Sequence, residues 1–156
     1  FFLMSLIDAY IQSSQNEKAI SYLNTAIAQK PSDSQLYHAL GIVYETGIKD
    51  YAKAEETFKK ALEVNPESVE SMSALGRIYY NQAVNKQGEA NMINDSKKYQ
   101  EELTIAKDLF KQALPYFQKA HEMKPSESEY MVALRGIYYN LNMGPELEAI
   151  EAEMNK

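Results

Sequence analysis

The sequence predicts an all-α fold, an α-α superhelix of about four helix-turn-helix repeats in which the third repeat has elongated helices that form a projecting hairpin. Three observations predict it. One set of apolar, glycine and tyrosine positions recurs at fixed distances after three prolines, and alanines and large apolar residues recur at fixed distances before them. The prolines themselves, Pro31, Pro66 and Pro125, are separated by 35 and 59 residues. Such long periods are typical of stacked repeats, in which each unit packs on its neighbours.

The residues after each proline predict the first helix of a repeat. A bulky apolar residue, a leucine, a glycine and a tyrosine lie at +6, +9, +10 and +13, which places them along one helical face. The three sets are Tyr37, Leu40, Gly41 and Tyr44; Met72, Leu75, Gly76 and Tyr79; and Met131, Leu134, Arg135 and Tyr138, with Leu3, Leu6, Ile7 and Tyr10 as an N-terminal copy. Arg135 stands where the copies after Pro31 and Pro66 have glycine, and Gly136 follows it. Because arginine is too large for a close helix contact, we expect the last helix to be loosely packed, shortened or absent.

The residues before each proline predict the second helix. Alanine, a large apolar residue and alanine lie at −12, −8 and −5, as Ala19, Leu23 and Ala26; Ala54, Phe58 and Ala61; and Ala113, Phe117 and Ala120. Small residues let two helices pack at the short end of the usual separation of ~8–10 Å. A glycine inside a helix costs about 1 kcal/mol relative to alanine, so close packing is the expected reason for Gly41 and Gly76. Ser32, Asp33 and Ser68 are candidate helix caps.

This spacing resembles the tetratricopeptide repeat (TPR), a helix-turn-helix unit of about 34 residues. The resemblance covers nearly all of the chain and implies one TPR solenoid domain over residues 1–156. Its expected parts are repeat 1 at 1–33, repeat 2 at 34–68, repeat 3 at 69–127 with an insertion at about 83–107, and repeat 4 with a capping helix at 128–156. The second repeat has one extra residue in its turn, because its prolines are 35 residues apart.

The insertion in the third repeat is predicted to lengthen both helices. Leucine, alanine and phenylalanine alternate by three and four from Leu103 to Ala120, a helical stripe that runs into the second helix of the repeat. The first helix should extend to about Gly88, with a turn at 91–95 capped by Asn94 or Asp95, and Pro115 should kink the long second helix. Two interpretations stay open: the hairpin covers its own apolar stripe, or it is a docking arm for a partner or a second copy.

Composition and motifs argue against several classes of function. The net charge of −6, from 16 Lys and Arg against 22 Asp and Glu, disfavours nucleic acid, which requires a clustered basic surface. The absence of cysteine excludes disulfides, thiolate nucleophiles and cysteine-ligated zinc. His38 and His121 lack metal-pair spacing and are expected at a surface or groove, and no phosphate-loop, dinucleotide, hydrolase or zinc-protease motif is present. The sequence therefore predicts no enzyme, no metal and no cofactor.

The N-terminal apolar run, residues 1–7, is much shorter than the ~20 residues of a membrane span. Because position 1 is phenylalanine rather than methionine, we expect the chain to begin part-way through a longer protein, with any targeting signal upstream. The localisation is left open.

The resemblance implies a concave groove lined by the first helices, which takes an extended peptide or a helix of a partner. The residues expected there are Asp8, His38, Arg77, Tyr80, Asn81, Tyr139 and Asn140. Aromatic rings and carboxamides suit the gripping of a peptide backbone, although ordinary amphipathic helix surface explains them equally well. The family's basic clamp for a chaperone C-terminal carboxylate is absent, because the matching positions hold Met4, Asp8, Ala39, Glu70 and Ala74. A neutral or basic segment is therefore the favoured partner.

The function predicted from the resemblance is a non-catalytic protein-protein interaction scaffold that binds a peptide or a partner-protein segment in the groove. The alternative is an architectural spacer or self-association module of a larger protein, which would use the projecting hairpin of repeat 3 and make a homo-oligomer possible.

Overall fold

The computed structural model describes residues 2–156, which form eight α-helices and, within that range, no strand. The helices are α1 (Phe2–Gln12), α2 (Asn16–Gln29), α3 (Ser34–Ile42), α4 (Tyr51–Val64), α5 (Val69–Ala90), α6 (Ser96–Met123), α7 (Ser128–Asn140) and α8 (Gly144–Met154). A π-helical turn, Val43–Ile48, continues α3. The all-α fold predicted from the repeats is confirmed.

Aspartate side chains fix the starts of three helices. Asp33 accepts a hydrogen bond from the Gln35 amide at α3, Asp50 from the Lys53 amide at α4, and Asp95 from the Lys98 amide at α6. Each bond satisfies one of the amides that a helix leaves without an internal partner. The predicted caps Asp33 and Asp95 are among them.

The extra residue of the second repeat lies in the π-helical turn. In the first and last helix pairs, the framework tyrosine carbonyl accepts from the amide five residues later, Gln15 to Tyr10 at 2.8 Å and Met143 to Tyr138 at 2.9 Å. In the second pair, the Tyr44 carbonyl accepts from Asp50, six residues later, also at 2.8 Å. A π-turn adds one residue without losing the closing bond, and Lys49 then takes the left-handed conformation that ends the helix (φ 64°).

The structure divides into two compact units, the first ending at Ser71 and the second running from Met72 to Lys156. One apolar cluster in the core of the first unit consists of fully or nearly buried side chains of the first three helices and the π-turn: Ile7, Ala19, Leu23, Leu36, Ala39, Leu40 and Val43. Gly41 lies directly against the ring of Phe58 on α4, where an added Cβ would overlap that ring. The predicted close approach of the second helix pair is therefore present.

The second unit repeats this arrangement with longer helices. An added Cβ at Gly76 would lie 2.8 Å from the Phe117 ring, so the glycine of α5 also lies directly against the large apolar residue of α6. The predicted stripe on α6 is buried at Ala106, Phe110, Ala113, Phe117 and Ala120. Ring contacts accompany it, with centroids 6.0 Å apart for Tyr79 and Tyr116 and 5.5 Å apart for Tyr80 and Phe110.

Helices α5 and α6 have 22 and 28 residues, against 14 in α2 and in α4. The Lys86 ammonium joins them, at 2.8 Å from Glu89 on its own helix and 3.2 Å from Glu102 on α6. Hydrogen bonds from Lys86 to Glu89 and Glu102 raise the pKa of this ammonium. The stabilisation from these ion pairs is therefore fully present below the ordinary pKa of lysine, and it is lost as the pH rises through the raised pKa of Lys86.

In the last pair, α7 and α8, an arginine stands at the position where α3 and α5 have the glycine that meets the second helix. Arg135 is exposed, and α8 has 11 residues with Ile150 as its buried side chain. Of the three expectations for the last helix, the structure shows the shortened one. Gly136 serves a different contact, because an added Cβ there would overlap the hydroxyl of Tyr80 on α5.

Candidate partner-binding site

Two of the predicted site residues lie in the first unit. Asp8 is exposed on α1. His38 is half-buried on α3, and its ring is tilted against Phe58 with centroids 5.4 Å apart. Because Phe58 is itself packed against Gly41, the His38 ring lies on a fixed apolar wall.

His38 also lines a pocket of about 230 Å³ in the first unit. The pocket lies between α1, α3 and the beginning of α5, and its lining residues are Leu3, Met4, Gln35, His38, Ser68 and Glu70. Four of them, Met4, Gln35, His38 and Glu70, occupy the helical faces from which the sequence predicts the groove. The sequence-predicted face thus contains a concave site large enough for a side chain.

A chain of buried hydroxyl groups lies behind the pocket. Ser68 precedes α5, and its Oγ accepts from the Ser71 amide at 3.4 Å and donates to the Ser71 Oγ at 3.0 Å. The Ser71 Oγ lies 3.1 Å from Nδ1 of His38. Ser71 is fully buried, and Ser68 is nearly so. One ring nitrogen of His38 is therefore tied to the start of a helix 33 residues away along the chain.

The other five predicted site residues lie in the second unit. Arg77 of α5 is partly exposed, with its guanidinium 4.0 Å from the Glu129 carboxylate on α7. Asn81 is exposed, one residue beyond Tyr80. Tyr80 is half-buried, because its ring meets the edge of Phe110 and its hydroxyl lies against Gly136. Much of the Tyr80 ring is therefore part of the packing between helices.

On α7, Tyr139 and Asn140 also differ in how far their side chains are exposed. Tyr139 is 71% exposed. Asn140 is half-buried, accepting from the Gln87 amide group at 2.6 Å and donating to the Gly136 carbonyl at 2.8 Å. The structure thus brings Tyr80 and Asn140 together at Gly136, while Tyr139 remains available to solvent.

His121, the second histidine, lies outside this surface. It joins α6 to α8 through Nε2, which is 3.1 Å from the Glu153 carboxylate, and its side chain is only 16% exposed. Within residues 2–156, no group of three or more histidine and carboxylate side chains is arranged to hold a metal ion. In the same residues no helix combines the length and apolar character of a membrane span.

Both units are acidic. The first contains six basic and ten acidic residues, a formal charge of −4. The second contains ten basic and twelve acidic residues, a formal charge of −2. The pocket belongs to the more acidic unit.

Sequence reasoning missed three residues of this site. The repeat pattern assigns Leu3 to the framework, the sequence indicates Ser68 only as a helix cap, and it gives no signal for Ser71. A serine cap does not indicate that a second serine, three residues later, contacts a histidine of another helix.

Comparison with known proteins gives consistent findings. Residues 34–68 match the family model described as tetratricopeptide repeat. The curated protein "Tetratricopeptide repeat protein 37" of Xenopus laevis is 33% identical over 82 residues, which are 49% of this chain and 5% of that protein. The chain therefore spans only a small part of this relative.

Two solved structures are similar over 98% of the chain. A mutant of MamA has a TM-score of 0.64 at 18% identity, with 74% of its own chain covered. A monomeric mutant of IFIT1 with m7Gppp-AAAA has a TM-score of 0.72 at 20% identity, with 32% of its own chain covered. At these identities the likeness shows the fold alone.

Proposed function

The chain carries a tetratricopeptide repeat and has the fold of tetratricopeptide repeat proteins, and from this premise we propose that it is a non-catalytic scaffold that binds a segment of a partner polypeptide. Repeats of this family generally serve protein interaction, and stacked helix pairs present their first helices side by side. The binding surfaces would be the first-helix faces of each unit, those of α1 and α3 in the first and that of α7 in the second.

The pocket in the first unit is the observation that carries this proposal. Its lining combines apolar side chains with a carboxamide, an imidazole, a hydroxyl and a carboxylate. Ligand sites in proteins are typically concave and contain a small number of placed polar groups within an apolar surface. In the second unit, exposed Tyr139 and half-exposed Val132 offer apolar contact area on α7. Tyrosine contributes such area at a low cost in conformational entropy.

A neutral or basic segment fits this surface better than an acidic one. The formal charge of the first unit is −4, and Glu70 lines its pocket. Like charges placed together on binding are costly, whereas complementary charges accelerate association and select the partner.

Nucleic acid is less suitable as a ligand. The IFIT1 structure was determined with m7Gppp-AAAA, but it resembles this chain in fold alone. A phosphate backbone requires neutralisation by clustered lysine and arginine. A chain with a net charge of −6 does not favour that binding.

Exposed residues of the two faces allow a direct test. Peptides that bind the original chain are selected from a random peptide library. Their affinities for the original chain and for the Tyr139→Ala and Gln35→Ala variants are then measured by isothermal calorimetry. We expect at least one variant to weaken the selected peptides about tenfold, the effect of removing an interface residue worth about 1.4 kcal/mol. Neither variant should change the melting temperature appreciably, because both side chains are exposed.

Tyr22→Ala is the matched control, since Tyr22 is 44% exposed and lies on α2, a second helix. Tyr80 would be a poor choice, because its truncation removes packing on Phe110. Peptides that bind all three variants as tightly as the original chain would contradict binding by the first-helix faces.

The alternative function, self-association through the α5–α6 hairpin, is favoured by one observation. Met92 at the tip is 85% exposed, and Val84 and Ile105 on the two helices are 43% and 44% exposed. Under this alternative, light scattering at rising concentration should detect a dimer, and Met92→Glu should abolish it. Met123→Glu, at a 40% exposed position near the other end of α6, is the control. A monomer at every concentration would exclude the alternative.

A further inference from the structure

We propose that the pocket between α1, α3 and the start of α5 takes a lysine or arginine side chain of the partner, and that Ser68 and Ser71 are positioning residues that hold His38 there as its neutral Nε2–H tautomer. The inference rests on the proposed function, because it names what the scaffold recognises at this one place.

The hydrogen bonds behind the pocket form one chain that ends at His38. The Ser71 amide can only donate, so the Ser68 Oγ accepts from it at 3.4 Å. The Ser68 hydroxyl donates its own hydrogen to the Ser71 Oγ at 3.0 Å. With the Ser71 Oγ accepting from Ser68 and buried away from water, we assign its own hydroxyl hydrogen to the Nδ1 atom of His38, 3.1 Å away.

A hydrogen bond accepted at Nδ1 fixes the state of the imidazole. With a lone pair on Nδ1, the ring proton of the neutral form is on Nε2. Placing the proton on Nδ1 instead would direct an N–H toward the Ser71 hydroxyl, and both serine hydroxyls would have to reverse their hydrogen bonds. The chain of hydrogen bonds as it stands therefore favours the Nε2–H tautomer of His38.

The pocket therefore has one charged lining residue. With His38 neutral, the other lining side chains apart from Glu70 are apolar, amide or hydroxyl groups. Leu3 and Met4 are half-buried apolar side chains of α1, whereas Glu70 and Gln35 are exposed at the rim. A ligand group here meets an apolar wall and an anionic rim.

Lysine and arginine side chains match this arrangement. Their methylene stems pack on apolar surface while their charged heads remain near water and carboxylates. The stem would lie along Leu3 and Met4, and the head would lie near Glu70. A carboxylate ligand would be repelled by Glu70, and a purely apolar one would gain nothing from it.

The first experiment tests the positioning residues without any partner. The ring nitrogens of His38 are observed by long-range ¹H–¹⁵N NMR in the original chain and in Ser71→Ala. We expect an unprotonated Nδ1 and a protonated Nε2 in the original chain, and a shift toward a mixture of tautomers in Ser71→Ala. His121, the only other histidine of the sequence, is an internal control whose signals should not change. A protonated Nδ1 in the original chain would overturn this part of the proposal.

The second experiment tests the ligand. Three acetylated and amidated pentapeptides, with lysine, norleucine or glutamate between alanine pairs, are titrated while the Met4 methyl and His38 ring signals are followed. We expect lysine to bind about two- to fivefold more tightly than norleucine, the range for one exposed ion pair, and glutamate to bind least. Glu70→Gln should remove the advantage of lysine, whereas Glu67→Gln, at an exposed acid outside the pocket lining, should retain it.

Equal binding of lysine and norleucine, or an advantage of lysine that survives Glu70→Gln, would overturn the assignment of the ligand. If selected peptides still lose affinity in Tyr139→Ala, the scaffold function stands and only the pocket assignment fails. If neither Tyr139→Ala nor Gln35→Ala weakens any selected peptide, while the lysine peptide keeps its Glu70-dependent advantage, the pocket assignment stands. The proposal that the wider first-helix faces bind the partner would then be wrong.

Discussion

Two glycines of α5 have opposite roles. Gly76 lies against Phe117, and an added Cβ would be 2.8 Å from that ring, whereas Gly88 has no heavy atom within 4 Å of its added Cβ. We expect Gly88→Ala to raise the free energy of unfolding by about 0.5–1 kcal/mol, the usual difference between the two residues in a helix. Gly76→Ala should lower it by up to about 2 kcal/mol, because overpacking a rigid core outweighs that gain. Urea unfolding followed by circular dichroism measures both.

The two substitutions control for each other, since they place the same residue in the same helix. Phe117 is 2% exposed and has little room to move away from Gly76. Stabilisation by both variants would mean that the ring shifts freely, and the close approach of α5 and α6 would then not be the reason for glycine at position 76.

Exposure at single residues also separates the predicted binding residues. Tyr139 and Asn81 are exposed and can meet a ligand directly, but Tyr80 and Asn140 are committed to contacts around Gly136. A repeat pattern places all four on first-helix faces. It does not decide which side chain a neighbouring helix covers.

At the scale of the element, the start of α6 depends on one side chain. Asp95 accepts from the Lys98 amide at 2.9 Å and begins a helix of 28 residues. We expect Asp95→Ala to lower the free energy of unfolding by about 1 kcal/mol, the usual effect of removing such a cap. Asp95→Asn keeps an acceptor oxygen and should change it by only a few tenths of that amount. Thermal and urea unfolding would measure the difference, and an equal loss in both variants would assign the effect to the charge of Asp95 rather than to the cap.

The π-helical turn is the element that the sequence indicates only indirectly. The distance of 35 residues between Pro31 and Pro66 shows that the second repeat has one residue more than the usual period. Its position is decided by the backbone, because the Tyr44 carbonyl still closes the helix through Asp50. Because the extra residue is accommodated in the π-helical turn, the hydrogen bond from the Asp50 amide to the Tyr44 carbonyl is kept.

At the scale of the whole molecule, the residues that determine the fold differ from those that would determine the ligand. Chains at 18% and 20% identity share this fold, so most positions of the sequence can differ without changing it. What this chain binds must come from the residues outside the framework. In the first unit those residues give a formal charge of −4 and a pocket with an anionic rim.

The sequence by itself determined the helices, their pairing and the close packing at Gly41 and Gly76, which in the structure lie on Phe58 and Phe117. It could do so because each helix packs on one that is close along the chain, and the residues at such contacts recur with the period of the repeat. Only the tertiary structure decided how polar side chains are used. His38 and Ser71 are 33 residues apart and occupy no shared motif, yet the packing of α3 against the start of α5 places their polar atoms 3.1 Å apart. Burial keeps water from replacing that hydrogen bond, and burial depends on neighbours that no local pattern specifies.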